Sequence, residues 1–208
     1  MAKSKFKIAL LTIFILAVLG SAVNPLSGEN WFLELLPVII FVPLFIYLGE
    51  RFRISDGSYL LIFVYMIMPV IQAHYGVGYV PIGFELSTWF NTTRNVFDRF
   101  THFFYGFLLF YPLYEMIKYE IGNRKFMNYM IPAALILGMA SVYEILEWLV
   151  FEFSGPRLSF LFIGAQDDFY DTPKDMAMTF IGVFLVITIM LISKKIFHLR
   201  RVAYKSII

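Results

Sequence analysis

The sequence contains no cysteine. Disulfides, thiolate metal sites and cysteine nucleophiles are therefore excluded. Charge is scarce as well. The 208 residues include 17 Lys and Arg against 15 Asp and Glu, a net of +2, which leaves no basic surplus for nucleic-acid binding. Only three histidines are present. There is no nucleophile elbow, phosphate loop, HExxH helix or dinucleotide fingerprint. Repeats and low-complexity linkers are missing too, so one domain over residues 1–208 is expected.

What fills the chain is apolar. Hydrophobic residues make up 60%, and the mean hydropathy of +0.74 is far above that of a soluble domain. The expected fold is all-α, a polytopic bundle in a cytoplasmic or inner membrane, with membrane lipid as its partner. About 20 apolar residues cross a bilayer as a helix, and six segments qualify. They run from Phe6 to Val23, Trp31 to Leu48, Tyr59 to Ala73, Val96 to Ile117, Met127 to Phe151 and Asp175 to Phe197.

Lys and Arg favour cytoplasmic loops. With both termini cytoplasmic, the inner side holds Lys3, Lys5, Lys7, Arg51, Arg53, Lys118, Arg124 and Lys125. It also holds Lys194, Lys195, Arg200, Arg201 and Lys205, making thirteen of the 17. Arg94, Arg99, Arg157 and Lys174 remain outside. The first segment also has the layout of a signal peptide, with a basic start and small residues at Ser21 to Val23. Removing it would break the charge pattern, which argues for a span.

In this orientation, acidic residues and histidines gather at the outer face. In "NVFDRFTHFFYG", Arg94, Asp98 and His102 recur every four residues and share a helix face. Asn95 can cap that helix, and Arg94 can pair with Asp98. His102 lies deeper, among aromatics, where a structurally satisfied histidine is the plain alternative to a ligand. In "SVYEILEWLVFEF", Glu144 and Glu147 are three apart on one face. Glu144 precedes Phe153 by nine residues, roughly 13 Å of helix. Carboxylates at such depth need protons, a cation or hydrogen-bond donors, for instance a salt bridge to Arg99 or Arg94. "GAQDDFYDTPKDM" supplies Gln166, Asp167, Asp168, Asp171 and Asp175. Thr172 with Pro173 and Asp175 reads as a helix start, and the aspartates exceed what one cap needs. "HYGVGYVPIGFELSTWFNTT" carries His74 and reads as a loop lying on or dipping into the outer interface.

These stretches together resemble the YjdF family of bacterial inner-membrane proteins. The likeness rests on "HYGVGYVP", "RNVFDRFTHFFYGF", "YEILEW" and "GAQDDFYDTPKDM", in that order across residues 59 to 190; the first two spans match only in hydropathy. It implies a fold and little mechanism. A looser likeness is to VanZ-like membrane proteins, whose Asp-Lys-x-x-His-Phe motif here has Arg99 for the lysine. Glu147 stands where those proteins more often have glutamine.

Three roles stay open. The first is an enzyme doing metal-assisted or carboxylate/His chemistry on a lipid or envelope precursor, with His102, Glu147 and Asp171 catalytic. A divalent metal would then be held among His102, Glu144, Glu147, Asp168 and Asp171. Asp98, Arg99, Glu144, Asp168, Asp175, His74 and Gln166 complete the expected binding set. The second role is a carrier or receptor for a cation, proton or head group. In the third, the polar groups only lock the helices together.

Overall fold

The computed structural model describes residues 2–153, 162, 166 and 168–205. Arg157 and Asp167 lie outside the described residues. All regular structure among the described residues is helical. The long helices are α1 (Ala2–Ser21), α2 (Gly28–Arg51), α3 (Asp56–Tyr75), α5 (Phe97–Ile121), α6 (Met127–Phe153) and α7 (Asp171–Lys205). Between α3 and α5 lie a 3₁₀ turn (Val77–Tyr79) and the short helix α4 (Pro81–Trp89).

Local chemistry explains where several of these elements begin. Ser27 accepts from the Asn30 N–H and starts α2 three residues before the expected Trp31. Ser55 accepts from the Ser58 N–H and starts α3 at Asp56, three residues before Tyr59. The carboxylate of Glu115, on α5, accepts from the Ser55 N–H at 2.9 Å and from both hydroxyls, at 3.0 Å from Ser55 and 2.6 Å from Ser58. An acidic group beside the first turn also suits the helix dipole. The linker expected to lie at the interface contains α4, with Pro81 at its first position. Its Ile82, Phe84 and Trp89 side chains are exposed, as is the following Phe90.

Four helices, α2, α3, α6 and α7, are long and apolar enough to cross a membrane. The polar residues of α5 depress its hydropathy, but those in its first turns do not face lipid. Asp98, Thr101 and His102 are buried together with Gly106, Leu109 and Phe110, because α5 packs against α3, α4, α6 and α7. Large apolar residues such as Ile39, Ile40, Leu135 and Phe184 remain exposed, as expected of faces that meet lipid rather than water. The interior is formed by Leu35, Ile62, Met66, Phe110, Ile136 and Val183, among others.

Hydrogen bonds and ion pairs fix the two ends of the bundle. At one end, Lys7 pairs with Glu50 at 2.6 Å. Nearby in the fold, Lys194 donates to the hydroxyls of Tyr114 and Tyr129 at 2.9 and 2.7 Å. At the other end, Trp31 donates to the Ser21 hydroxyl at 3.0 Å, and His74 Nδ1 lies 3.0 Å from the Ser21 carbonyl oxygen.

Candidate functional site

The site begins with the packing of α5 on α7, the most extensive helix pair in the bundle. The two helices run parallel and touch through glycine. A Cβ on Gly106 would collide with the Thr179 carbonyl, and one on Gly182 with the Phe103 carbonyl. Only residues without a side chain permit this approach, as in close helix packing within membranes. The contact sets the Thr179 hydroxyl against His102. It donates to the His102 carbonyl at 3.2 Å and lies 3.5 Å from Nδ1.

That leaves His102 Nε2 facing carboxylates. It lies 3.4 Å from Glu144 Oε1 on α6 and 3.9 Å from Asp98 Oδ1 one turn earlier. One ligand atom each from Asp98, His102 and Asp175 lie within 4.8 Å of one another, and all three residues are buried. Gln72, on α3, donates to Asp98 Oδ1 at 3.2 Å. Asp175 Oδ1 and Glu144 Oε1 are buried with no hydrogen-bond partner among the described residues.

An arginine layer lies nearer the surface. Arg99 reaches Asp168 at 3.1 Å, Asp171 at 2.6 Å and Asp175 at 2.5 Å, and donates to the Asp171 carbonyl at 2.8 Å. Arg94 pairs with the Asp171 carboxylate and lies 3.5 Å from Asp168. Lys174 binds both oxygens of Asp168, at 2.9 and 2.7 Å. That lysine hydrogen bond is the main cause holding the Asp168 carboxyl below its ordinary range, helped by the Tyr170 N–H.

Charge does not balance over the two layers. Among the described residues, Glu34, Asp98, Glu144, Glu147, Asp171 and Asp175 are all buried carboxylates, and the cations paired with them are Arg94 and Arg99. Ionised carboxylates in such surroundings are very costly unless paired. The surplus must be met by protons or by a bound cation.

A family described as a predicted membrane protein (DUF2238) matches residues 6–195. The chain belongs to that family. It is 29% identical over 174 residues to the inner membrane protein YjdF of Escherichia coli (strain K12), covering 83% of this chain and 80% of that protein. No solved structure matches. The likeness to the YjdF family seen in the motifs thus holds over most of the chain, and this member is likewise a multi-pass protein of the cell membrane.

In this YjdF-family chain, the residues singled out from the sequence fall into three groups. His102, Asp98, Glu144 and Asp175 meet in the buried layer, with Glu147 also buried and in electrostatic contact with Asp98, Glu144 and Asp175. Arg99, Asp168 and Asp171 form the arginine layer. His74 and Gln166 make other contacts. His74 is bonded to α1. Gln166 accepts from the Asn95 N–H at 2.7 Å and donates to its carbonyl at 3.2 Å, joining the segments before α5 and α7.

Some local readings differ. Arg94 precedes α5 and pairs with Asp171, where its spacing had suggested Asp98. The cap position of α5 is Val96, one residue later than Asn95, but the Asn95 side chain still accepts from the first N–H of the helix, that of Phe97, at 3.0 Å, and donates to the Val80 carbonyl at 2.8 Å. Helix α7 starts at Asp171, ahead of Thr172, because Asp168 takes the Tyr170 N–H and its carbonyl takes that of Asp171.

Four participants were missed: Glu34, Gln72, Tyr143 and Thr179. Glu34 had a signal, a lone carboxylate inside the apolar run "NWFLELLP". Thr179 and Gln72 had none, being ordinary polar residues in a span.

Proposed function

We propose that this protein binds a divalent cation within the outer half of the membrane and uses it on a polar group of a lipid or envelope precursor. The observation that carries the reading is the buried set Asp98, His102 and Asp175, with Asp175 Oδ1 left without a partner. A first-row metal holds nitrogen and oxygen ligands at about 2.0–2.2 Å, hence no more than about 4.4 Å apart. Three ligands around one ion sit roughly 3–3.8 Å apart, so side-chain shifts of about an ångström would close a set that now lies within 4.8 Å. The donor chemistry, one imidazole and carboxylates, suits Mg²⁺, Mn²⁺ or Zn²⁺ and not a thiophilic ion. Such an ion would polarise a bound oxygen and acidify bound water.

The chain's own residues would prepare the site. Thr179 and Gln72 orient His102 and Asp98, as outer partners of ligands usually do. Arg99 fixes one oxygen of Asp175 and leaves the other turned inward. Glu144, 3.4 Å from His102 Nε2, is placed to complete the ligand set or to hold a proton. Asp168 and Asp171 act through the arginines.

Six spans with both termini cytoplasmic accompany this reading, with α1 and α5 counted beside the four apolar helices. The Lys/Arg distribution supports it, and so do the parallel α5 and α7. Binding or chemistry is favoured over passage through the membrane. Below the cluster the interior is closed by Leu109, Phe110, Ile136 and Val183, all buried and apolar. Equilibrium titration of the purified protein with Mn²⁺ tests the reading: one saturable site is expected in the wild type and none in His102→Ala.

A further inference from the structure

One pair of buried polar residues is absorbed neither by the arginine layer nor by the Asp98, His102 and Asp175 set. Asn30 and Glu34 lie one turn apart on α2, so they share a face. They are 1% and 2% exposed, and Asn30 Oδ1 and Glu34 Oε1 have no hydrogen-bond partner among the described residues. An acceptor left unpaired in the interior is costly, and two on one face call for a donor.

The surroundings specify its charge. Glu34 interacts with Asp98, and the charges of Glu34, Glu147 and Asp98 all act on the hydroxyl of Tyr143. Tyr65, beside Tyr105 at 5.4 Å between ring centroids, also feels the charges of Glu34 and Asp98. Tyr143 also packs edge-on against His102, with centroids 6.2 Å apart. Unpaired carboxylate and amide acceptors on one buried helix face, in a negatively charged interior, are the chemistry that recognises an ammonium group. Among the described residues, the charge that acts on Glu34 is that of Asp98, which would repel an anion.

We infer that Asn30 and Glu34, with Tyr65 and Tyr143, form a binding site for a primary ammonium group, such as that of an aminoalkyl head group. A primary ammonium brings three N–H donors, enough for Glu34 Oε1 and Asn30 Oδ1 together. A quaternary ammonium has none and would leave both atoms unpaired. This site does not depend on a metal at His102, so either can fail without the other.

The test uses the full chain in detergent, read by native mass spectrometry and by thermal unfolding. Phosphatidylethanolamine is compared with phosphatidylcholine of the same acyl chains, and free ethanolamine with free choline. Wild type should prefer each primary amine over its trimethylated analogue by about tenfold or more, the size of one lost charge-assisted hydrogen bond. Preference confined to the lipid pair identifies a membrane head group, and preference in both pairs a site also open to soluble amines. Glu34→Gln should abolish the preference. Should that variant fold poorly, Asn30→Ala should reduce it and Glu34→Asp should retain it in part. Equal binding of amine and trimethylated forms by wild type would overturn the inference. So would a well-folded Glu34→Gln that keeps the preference.

Discussion

Arg99 Nη1 lies 2.5 Å from Asp175 Oδ2, whereas Asp175 Oδ1 is buried without a hydrogen-bond partner among the described residues. One carboxylate thus faces two environments: an arginine on the surface side and a histidine–carboxylate cluster on the inner side. The pairing predicts a severe effect of Arg99→Ala, which would strand Asp175, while Asp171 keeps Arg94. Removing one partner of a buried ion pair costs about 3–5 kcal/mol. Arg99→Lys should recover only part of this, since a lysine cannot reach three carboxylates with a fixed fork. Denaturant unfolding in mixed micelles measures both.

The close approach of α5 and α7 makes a second prediction. Gly106→Ala and Gly182→Ala each drive a methyl group into a backbone carbonyl, which cannot rotate away as a side chain can. Each should cost about 1–3 kcal/mol. Gly138→Ala is the control, because a Cβ there has nothing within 4 Å. Thermal midpoints of the three variants decide the matter.

Acid should weaken the surface side of the arginine layer. Asp168 is held below its ordinary value by Lys174. A carboxyl depressed in the folded state contributes stability above its unfolded value, about 3.9. That contribution is lost as pH falls through the lower folded value. The loss should be small, because Lys174 is 53% exposed and solvent screens the pair. In Lys174→Met, the part of the acid-side loss owed to this pair should be gone. Unfolding followed between neutral pH and about pH 3 reads the difference.

Topology is testable without purification. Thirteen of the 17 Lys and Arg fall on one side of a six-span arrangement. Reporter fusions at Arg124 and at the C-terminus should read cytoplasmic, and a fusion at Thr92, between α4 and α5, should read external. A C-terminus reading external would overturn the six-span count.

Much of this architecture was legible in the sequence because ionisable residues are conspicuous in apolar runs. His102, Glu144 and Glu147 stood out for that reason, and the runs themselves located six long helices to within a few residues at most ends. Partner choice was not legible. Whether Arg94 meets Asp98 or Asp171 depends on the register of α5 against α7, which Gly106 and Gly182 set through tertiary contact. The α4 helix was hidden because nine residues rich in turn formers carry too little periodic pattern. Glu34 could have been found by the logic applied to Glu144, but it lacked a second carboxylate at helical spacing to draw notice.

Thermal unfolding of wild type and Glu147→Gln, with chelator and then with Mg²⁺, Mn²⁺ or Zn²⁺, decides whether a divalent cation occupies the buried cluster. The charges that act most on Glu147 are those of Asp98, Glu144, Asp175 and Glu34, all carboxylates. Neutralising it strands no cation and relieves repulsion. The metal-free variant should be at least as stable as wild type. One of these metals should stabilise wild type, by about 2.7 kcal/mol at a hundredfold excess over Kd, and stabilise the variant less. Substantial destabilisation of metal-free Glu147→Gln, with no metal raising the wild-type midpoint, would contradict cation binding in the cluster.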